Sequence, residues 1–214
     1  RIVSYTGTGS NGTIKHGRST APEMYITKSL SNARSWAVYN QNIGNTKALF
    51  LNTTDAQDTD ATYWNSTSPT SSVLSLGTRS EMNHNGENFI AYCFAPKQGY
   101  SKFGTYTGNG NADGPFVFTG FKPAWIMIRR TDAANHWIMV DNKRNPFNLV
   151  NNKLLANEDE AQEIGTGNTM DFLSNGFKLR ATNAAANASG GNYIYMAFAE
   201  NPLVGSNFVP TTAR

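Results

Sequence analysis

Apolar residues in this chain are grouped into short segments that are separated by turns rich in glycine, asparagine and serine. Short segments with β-branched and aromatic residues, bounded by such turns, predict β-strands. In the first half of the chain they fall at Ile2-Tyr5, Thr13-His16, Met24-Lys28, Ser35-Tyr39, Ala48-Asn52, Ser72-Leu76 and Phe89-Ala95. In the second half they fall at Phe103-Thr107, Phe116-Thr119, Ala124-Arg130, His136-Asp141, Asn148-Asn151, Phe177-Arg180 and Tyr193-Ala199.

The number and spacing of these segments favour an all-β fold of the sandwich or jelly-roll type. Ala124-Trp-Ile-Met-Ile128 is continuously apolar, which predicts a central strand covered on both faces. Only Ala156-Gly165 has a helical composition, and its short length predicts a surface turn or a single helical loop.

Two blocks of sequence occur twice in the same order. Tyr5-Thr-Gly-Thr-Gly9 recurs as Tyr106-Thr-Gly-Asn-Gly110, and the block at Gly86-Ala95 recurs at Gly190-Ala199. Repetition of two blocks in one order predicts an internal duplication. We therefore expect two tandem β-sandwich domains, at residues 1–97 and 98–214, the second ending in a C-terminal tail.

The predicted copies share their turns and core strands but differ in loops such as Ala56-Pro69 and Ala156-Asn168. Trp36 and Trp137 occupy equivalent strand positions and are expected in the cores. Shared residues specify the fold, so a function is best sought where the copies differ.

Composition narrows the classes of function. The net charge of +3 is mild and the cations are scattered, so nucleic acid is not an expected partner. A single cysteine, Cys93, excludes an internal disulfide framework and a Cys-rich zinc site. No apolar run approaches the roughly 18 residues that would predict a membrane span. Because the chain begins at Arg1, we expect a processed product or the C-terminal part of a longer polypeptide.

Two motifs suggest ligands on first reading. Gly7-Thr-Gly9-Ser-Asn-Gly12 fits a dinucleotide-binding pattern, but a strand follows where that chemistry needs a helix, so a turn is the favoured interpretation. Asp55, Asp58 and Asp60 offer oxygen ligands for Ca²⁺. The EF-hand spacing is absent, however, and a solvated acidic loop is favoured. No metal and no cofactor is expected.

Aromatic side chains are the best candidates for ligand binding, because a ring face can stack on a sugar. Tyr63 and Trp64 lie in a polar loop and have no aromatic counterpart in the second copy. The alternative is that this pair anchors the long loop to the core. No nucleophile or pair of acids recurs in both copies, so we do not expect an enzyme.

Three phrases of the second copy carry a resemblance to a known family: Tyr106-Thr-Gly-Asn-Gly110, Gly120-Phe-Lys-Pro-Ala-Trp-Ile-Met-Ile-Arg129 and Asn192-Tyr-Ile-Tyr-Met-Ala-Phe-Ala-Glu-Asn-Pro202. They resemble a domain of bacteriophage tail and appendage proteins, many from marine phages and cyanophages. The first copy departs from this form, with Ser19-Thr-Ala-Pro22 in place of Gly-Phe-Lys-Pro. The resemblance implies concanavalin-like β-sandwiches on the virion, and it transfers no catalytic residue.

The resemblance therefore implies a non-enzymatic virion protein, a tail-fibre or appendage module that binds glycans on the host surface. Expected partners are other virion proteins and further copies of the chain, for example in a trimer, because weak sites gain avidity by repetition. One alternative is a purely architectural protein for capsid decoration or tail assembly. A glycan depolymerase is the third hypothesis.

Overall fold

A computed structural model describes residues 1–165, 167 and 169–201, so the tail of the second predicted domain lies outside the described residues from Pro202 onward. The chain divides into two compact units, unit 1 at Arg1–Ala95 and unit 2 from Pro96 onward. The division falls after Ala95, where the sequence suggested residue 97. No helix of the described residues has the length and apolarity needed to cross a membrane.

Unit 1 has two antiparallel sheets. Its elements are β1 (Ile2–Thr6), β2 (Gly12–Lys15), β3 (Met24–Ser29), β4 (Ala37–Asn40), β5 (Lys47–Phe50), β6 (Asp58–Thr59), β7 (Val73–Leu76), the helix α1 (Ser80–Asn83) and β8 (Asn88–Phe94). The larger sheet has the order β1-β8-β3-β4-β5-β6, and β2 pairs with β7 in the smaller one.

The described part of unit 2 also has two antiparallel sheets. Its elements are β9 (Ser101–Thr107), β10 (Phe116–Phe118), β11 (Pro123–Arg130), β12 (Ile138–Asp141), β13 (Asn152–Leu155), β14 (Glu163–Ile164), β15 (Met170–Leu173), β16 (Gly176–Leu179), the helix α2 (Ala184–Asn187) and β17 (Asn192–Ala199). The larger sheet has the order β14-β13-β12-β11-β17-β9 and the smaller one β10-β16-β15.

In each unit the two sheets share one hydrophobic core. Ile126 and Ile128 of β11 pack in one cluster with Phe177 and Leu179 of β16. In unit 1, Tyr25 and Tyr39 of the larger sheet pack with Leu74 and Leu76 of β7. Burial of one face of each sheet against the other is the sandwich arrangement. The predicted all-β, sandwich-type fold is confirmed, and β11 is an interior strand as its apolar run indicated.

The larger sheets of the two units have the same strand order when β1, β8, β3, β4, β5 and β6 are matched with β9, β17, β11, β12, β13 and β14. The smaller sheets match through β2 with β10 and β7 with β16. β15 has no counterpart in unit 1. The internal duplication itself stays a prediction from the sequence, and the common strand order is consistent with it.

Some elements differ from the predictions. The predicted strand Asn148-Asn151 is wrong, because β13 begins at Asn152. In this segment only Val150 forms an isolated bridge, to Met170. Ala156-Gly165 begins with a turn at Ala156-Asn157, which is one of the two predicted alternatives. It is not a helical loop, since Glu163 and Ile164 within it pair with β13 as a short strand.

The predicted pair of core tryptophans is only half correct. Trp137 is buried, whereas Trp36 is half-buried and stacks on Tyr92 with ring centroids 6.3 Å apart.

Candidate functional site

The repeated Tyr-Thr-Gly-x-Gly phrase is held in unit 1 by a buried asparagine at the end of α1. The Asn83 carboxamide accepts a hydrogen bond from the backbone N–H of Thr8 at 2.8 Å and donates one to the Gly77 carbonyl at 2.6 Å. The Tyr5 hydroxyl donates to the Met82 carbonyl at 2.6 Å. Burial raises the pKa of Tyr5 well above its usual value, so the phenol stays protonated and remains a donor.

Unit 2 contains the same arrangement at the end of α2. The Asn187 carboxamide accepts from the backbone N–H of Asn109 at 2.9 Å and donates to the Ala181 carbonyl at 2.7 Å. The Tyr106 hydroxyl donates to the Ala186 carbonyl at 2.8 Å. Because buried polar groups must be paired, these asparagines explain the repeated phrase as a structural feature of each unit.

The glycine pattern that resembles a dinucleotide-binding motif belongs to this structural feature. Gly12 begins the strand β2, so no helix N-terminus follows the glycines. A Cβ atom at Gly7 would clash with the His84 carbonyl oxygen, which explains why glycine is needed there. The interpretation of this segment as a turn is therefore confirmed.

Tyr63 and Trp64 are core residues in the structure. Both are 0 % exposed. The Trp64 ring packs edge-on against Tyr25 and Tyr39 at centroid distances of 4.9 and 5.6 Å, and its indole N–H donates to the Lys47 carbonyl at 2.8 Å. With no exposed ring face, neither residue can stack on a sugar. The contacts instead correspond to the alternative in which the pair anchors the loop.

The acidic residues of the same loop contact protein groups. The Tyr63 hydroxyl donates to Asp58 at 2.6 Å, and Arg79 lies 3.4 Å from Asp58 and 3.7 Å from Asp60. Asp60 also accepts from Thr62, whose two hydrogen bonds are the largest cause of a lowered pKa at Asp60. Among the residues that the structure describes, no group of three or more His, Cys, Asp or Glu side chains, including Asp55, is placed to hold a metal ion.

A buried carboxylate joins two loops of unit 1. Glu87 accepts hydrogen bonds from Arg34 at 2.5 and 2.7 Å, from Ser29 at 2.8 Å and from Asn32 at 2.8 Å. The Arg34 guanidinium is the main cause that lowers the pKa of Glu87 to about 2. Every oxygen of this carboxylate is occupied by the protein, so its role is structural.

The units differ at the outer surface of the smaller sheet. In unit 2, Val117 of β10 points into the core, so its neighbours Phe116 and Phe118 point outward. They are 46 % and 56 % exposed, which is unusual for two phenylalanines on one strand. Together with Gly176 and Lys178 of the adjacent strand they form what we call the aromatic face.

Glycines underlie both rings of the aromatic face. Gly176 lies opposite Phe118 in the register, and a Cβ atom there would come within 3.0 Å of the Phe116 ring. A Cβ atom at Gly120 would lie 3.7 Å from the Phe118 ring. The rings can therefore lie close to the backbone, and both side chains remain exposed. Residues two apart on a strand are separated by about 6.6 Å, so the rings form a short row.

Charged groups border the aromatic face. Lys178, opposite Phe116, pairs with Asp113 at 2.8 Å, and this contact lowers the pKa of Asp113. The Lys102 ammonium donates to the Phe118 carbonyl at 2.8 Å and lies 5.0 Å from the centroid of the Phe118 ring. An ammonium at this distance makes a cation–π contact and remains able to donate to a further acceptor.

Unit 1 has no aromatic residue on the matching strand. Lys15 of β2 lies opposite Val73, the first residue of β7, and Phe118 of β10 lies opposite Gly176, the first residue of β16. Lys15 is therefore at the position of Phe118, and Thr13 is at the position of Phe116. Thr13 and Lys15 are exposed. The aromatic face is thus specific to unit 2, as expected for a feature outside the shared fold.

The sequence predicts a strand that contains Phe116 and Phe118 but does not indicate that their side chains are exposed. Phe-Val-Phe is apolar at every position, so its pattern does not indicate which side faces water. The available signal was on the partner strand, where Gly176 and Lys178 alternate with the apolar Phe177 and Leu179.

Fold and site together define an all-β protein of two sandwich units, the second of which carries an exposed aromatic face. Residues 1–202 match the model of a domain family of unknown function, DUF7483. The chain belongs to this family. No curated protein and no solved structure shows significant similarity to it.

Proposed function

We propose that the chain is a non-enzymatic phage virion protein, a tail-fibre or appendage module that binds glycans on the host surface through the aromatic face. The observation that carries the binding proposal is the exposure of Phe116 and Phe118 on one side of one strand. Ring faces bind the apolar faces of sugars, and the bordering lysines offer donors for hydroxyl groups. The virion assignment rests on the resemblance of the repeated phrases to phage tail proteins.

The binding proposal is tested with a purified, multimerised chain on an array of bacterial surface polysaccharides, because repetition makes weak sites measurable. The double variant Phe116→Thr/Phe118→Thr should lose binding. The matched control Thr13→Ala/Lys15→Ala alters the equivalent strand of unit 1 and should bind as the unchanged chain does. Equal binding by both variants, or no binding by the unchanged chain, would contradict the proposal. Release of oligosaccharides from a bound polysaccharide would contradict the non-enzymatic assignment.

A second candidate, a purely architectural virion protein, is favoured by a different observation. Phe147 is 83 % exposed, and the nearby Leu149 is also exposed, in a loop of unit 2. Exposed apolar side chains that neighbour one another often mark contacts with other proteins. Locating the chain in an electron-microscopy map of the particle separates the candidates: a distal position on a fibre supports adhesion, and a lattice on the shell supports architecture.

A further inference from the structure

We infer that the aromatic face selects acidic glycans, with the Lys102 ammonium binding a carboxylate of a sugar that lies against the aromatic face. This inference rests on the proposed function and names the chemical class of its ligand.

Of the three cations near the aromatic face, Lys102, Lys178 and Arg180, two are paired with carboxylates. Lys178 is held by Asp113 at 2.8 Å, and Arg180 is held by Asp171 at 2.6 Å. Lys102 has no carboxylate partner among the residues that the structure describes. The face therefore carries one positive charge that the described part of the chain leaves unbalanced.

The position of Lys102 suits recognition of an acidic sugar. Its ammonium donates to the Phe118 carbonyl and lies over the Phe118 ring, so it is already positioned at the aromatic face. An ammonium has three donors, and one is used in this contact. A sugar bound at the aromatic face next to this ammonium would bring its carboxylate toward the remaining donors, where a charge-assisted hydrogen bond can form.

A neutral glycan would use the same ring without this bond. Charge complementarity therefore contributes selectivity, and stacking contributes the affinity that acidic and neutral sugars share. An acidic ligand should also bind less tightly at high salt, because ions screen a partly exposed pair.

The test compares polygalacturonate and polymannuronate with their carboxyl-reduced forms, which keep the sugar backbone and lack the charge. The unchanged chain should bind each acidic polymer about tenfold more tightly than its reduced form, as expected for one charge-assisted hydrogen bond. Lys102→Gln should remove this preference, because it should weaken binding of the acidic polymers about tenfold more than binding of the reduced polymers, whereas Lys102→Arg should retain the preference.

Lys15→Gln is the matched control, since it removes an exposed charge from the equivalent strand of unit 1. An equal effect of Lys15→Gln and Lys102→Gln would assign the preference to net charge and overturn the inference. Equal binding of acidic and reduced polymers by the unchanged chain would overturn the inference and leave glycan binding standing. Binding of neither form would overturn the inference, and the Phe116→Thr/Phe118→Thr experiment on the array then tests the proposed function separately.

Discussion

Asn83 and Asn187 make matching hydrogen bonds at the ends of the one-turn helices α1 and α2. Each carboxamide accepts from a backbone N–H of the glycine-rich loop and donates to a backbone carbonyl six residues earlier in the chain. The backbone carbonyls of the same two residues accept from Gly9 and Gly110. One side chain therefore fixes a short helix, a loop and the segment before the helix in each unit.

Asn187→Asp should lower the free energy of unfolding by about 2–4 kcal/mol. The substitution keeps the shape, but a carboxylate cannot donate to the carbonyls of Ala181 and Asn111, and its charge would be buried beside them. Urea unfolding followed by tryptophan fluorescence measures the change. Asn85→Asp, at an exposed position near the same loop of unit 1, is the control and should change stability little. Similar losses for both variants would argue against the proposed role of Asn187.

Gly7→Ala should destabilise the chain by about 1–3 kcal/mol, because the added methyl group would overlap the His84 carbonyl oxygen. Gly12→Ala provides a control in the same segment, since the nearest atom to its Cβ is the Ser10 carbonyl oxygen at 3.8 Å. Thermal melting of both variants checks the difference. A tolerated Gly7→Ala would show that the loop can move away from α1.

Much of the fold could be predicted from the sequence because strand segments and turns depend on local pattern. The start of β13 at Asn152 could not be predicted, because side-chain hydrogen bonds shape the loop before it. In this loop the Asn145 side chain accepts from the backbone N–H groups of Asn151 and Asn152. The burial of Trp64 accompanies the lack of a strand in unit 1. Along the chain, unit 2 has β15 between β14 and β16, whereas unit 1 has the loop that contains Trp64 between β6 and β7. Met170 and Phe172 fill the core of unit 2 from that strand.

Trp64→Ala should cost about 3–5 kcal/mol of stability, because it removes a fully buried ring and leaves a cavity against Tyr25 and Tyr39. Trp36→Ala is the matched control. Because the Trp36 ring is only half-buried, against Tyr92, its removal should lower the stability clearly less than Trp64→Ala does. Chemical unfolding gives both values. Glycan binding by the folded fraction of the Trp64 variant should equal that of the unchanged chain. A Trp64 variant that is stable but loses binding would restore the ligand-binding interpretation.

Glu87 should make unit 1 sensitive to acid. Its pKa is about 2 in the folded chain, below the ordinary value of 4.5, so the folded state binds a proton less readily than the unfolded state. The stabilisation is therefore complete above pH 4.5 and is lost as the pH falls toward 2. Glu87→Gln should be less stable than the unchanged chain at neutral pH, and the difference should shrink across this range. Urea titrations at several pH values test this, and a constant difference would contradict it.

The exposed side chains of Phe147 and Leu149 should mediate self-association of the chain. Their loop is anchored to β15, because the Asn148 carboxamide accepts from the Phe172 N–H at 2.9 Å and donates to the Phe172 carbonyl at 3.1 Å. An ordered apolar loop loses little entropy when it binds, which favours its use as an anchor in a homo-oligomer.

Phe147→Ser/Leu149→Ser should therefore shift the chain toward monomer in sedimentation velocity while its unfolding transition stays in place. The control is Leu30→Ser, which removes one exposed apolar side chain from unit 1 and should leave the oligomer intact. Two results would refute this role. The unchanged chain could sediment as a monomer at every concentration, or the double variant could retain the same oligomer. Because the aromatic face is a separate surface on β10, the double variant should keep its affinity for a single glycan and lose only the avidity that oligomerisation provides.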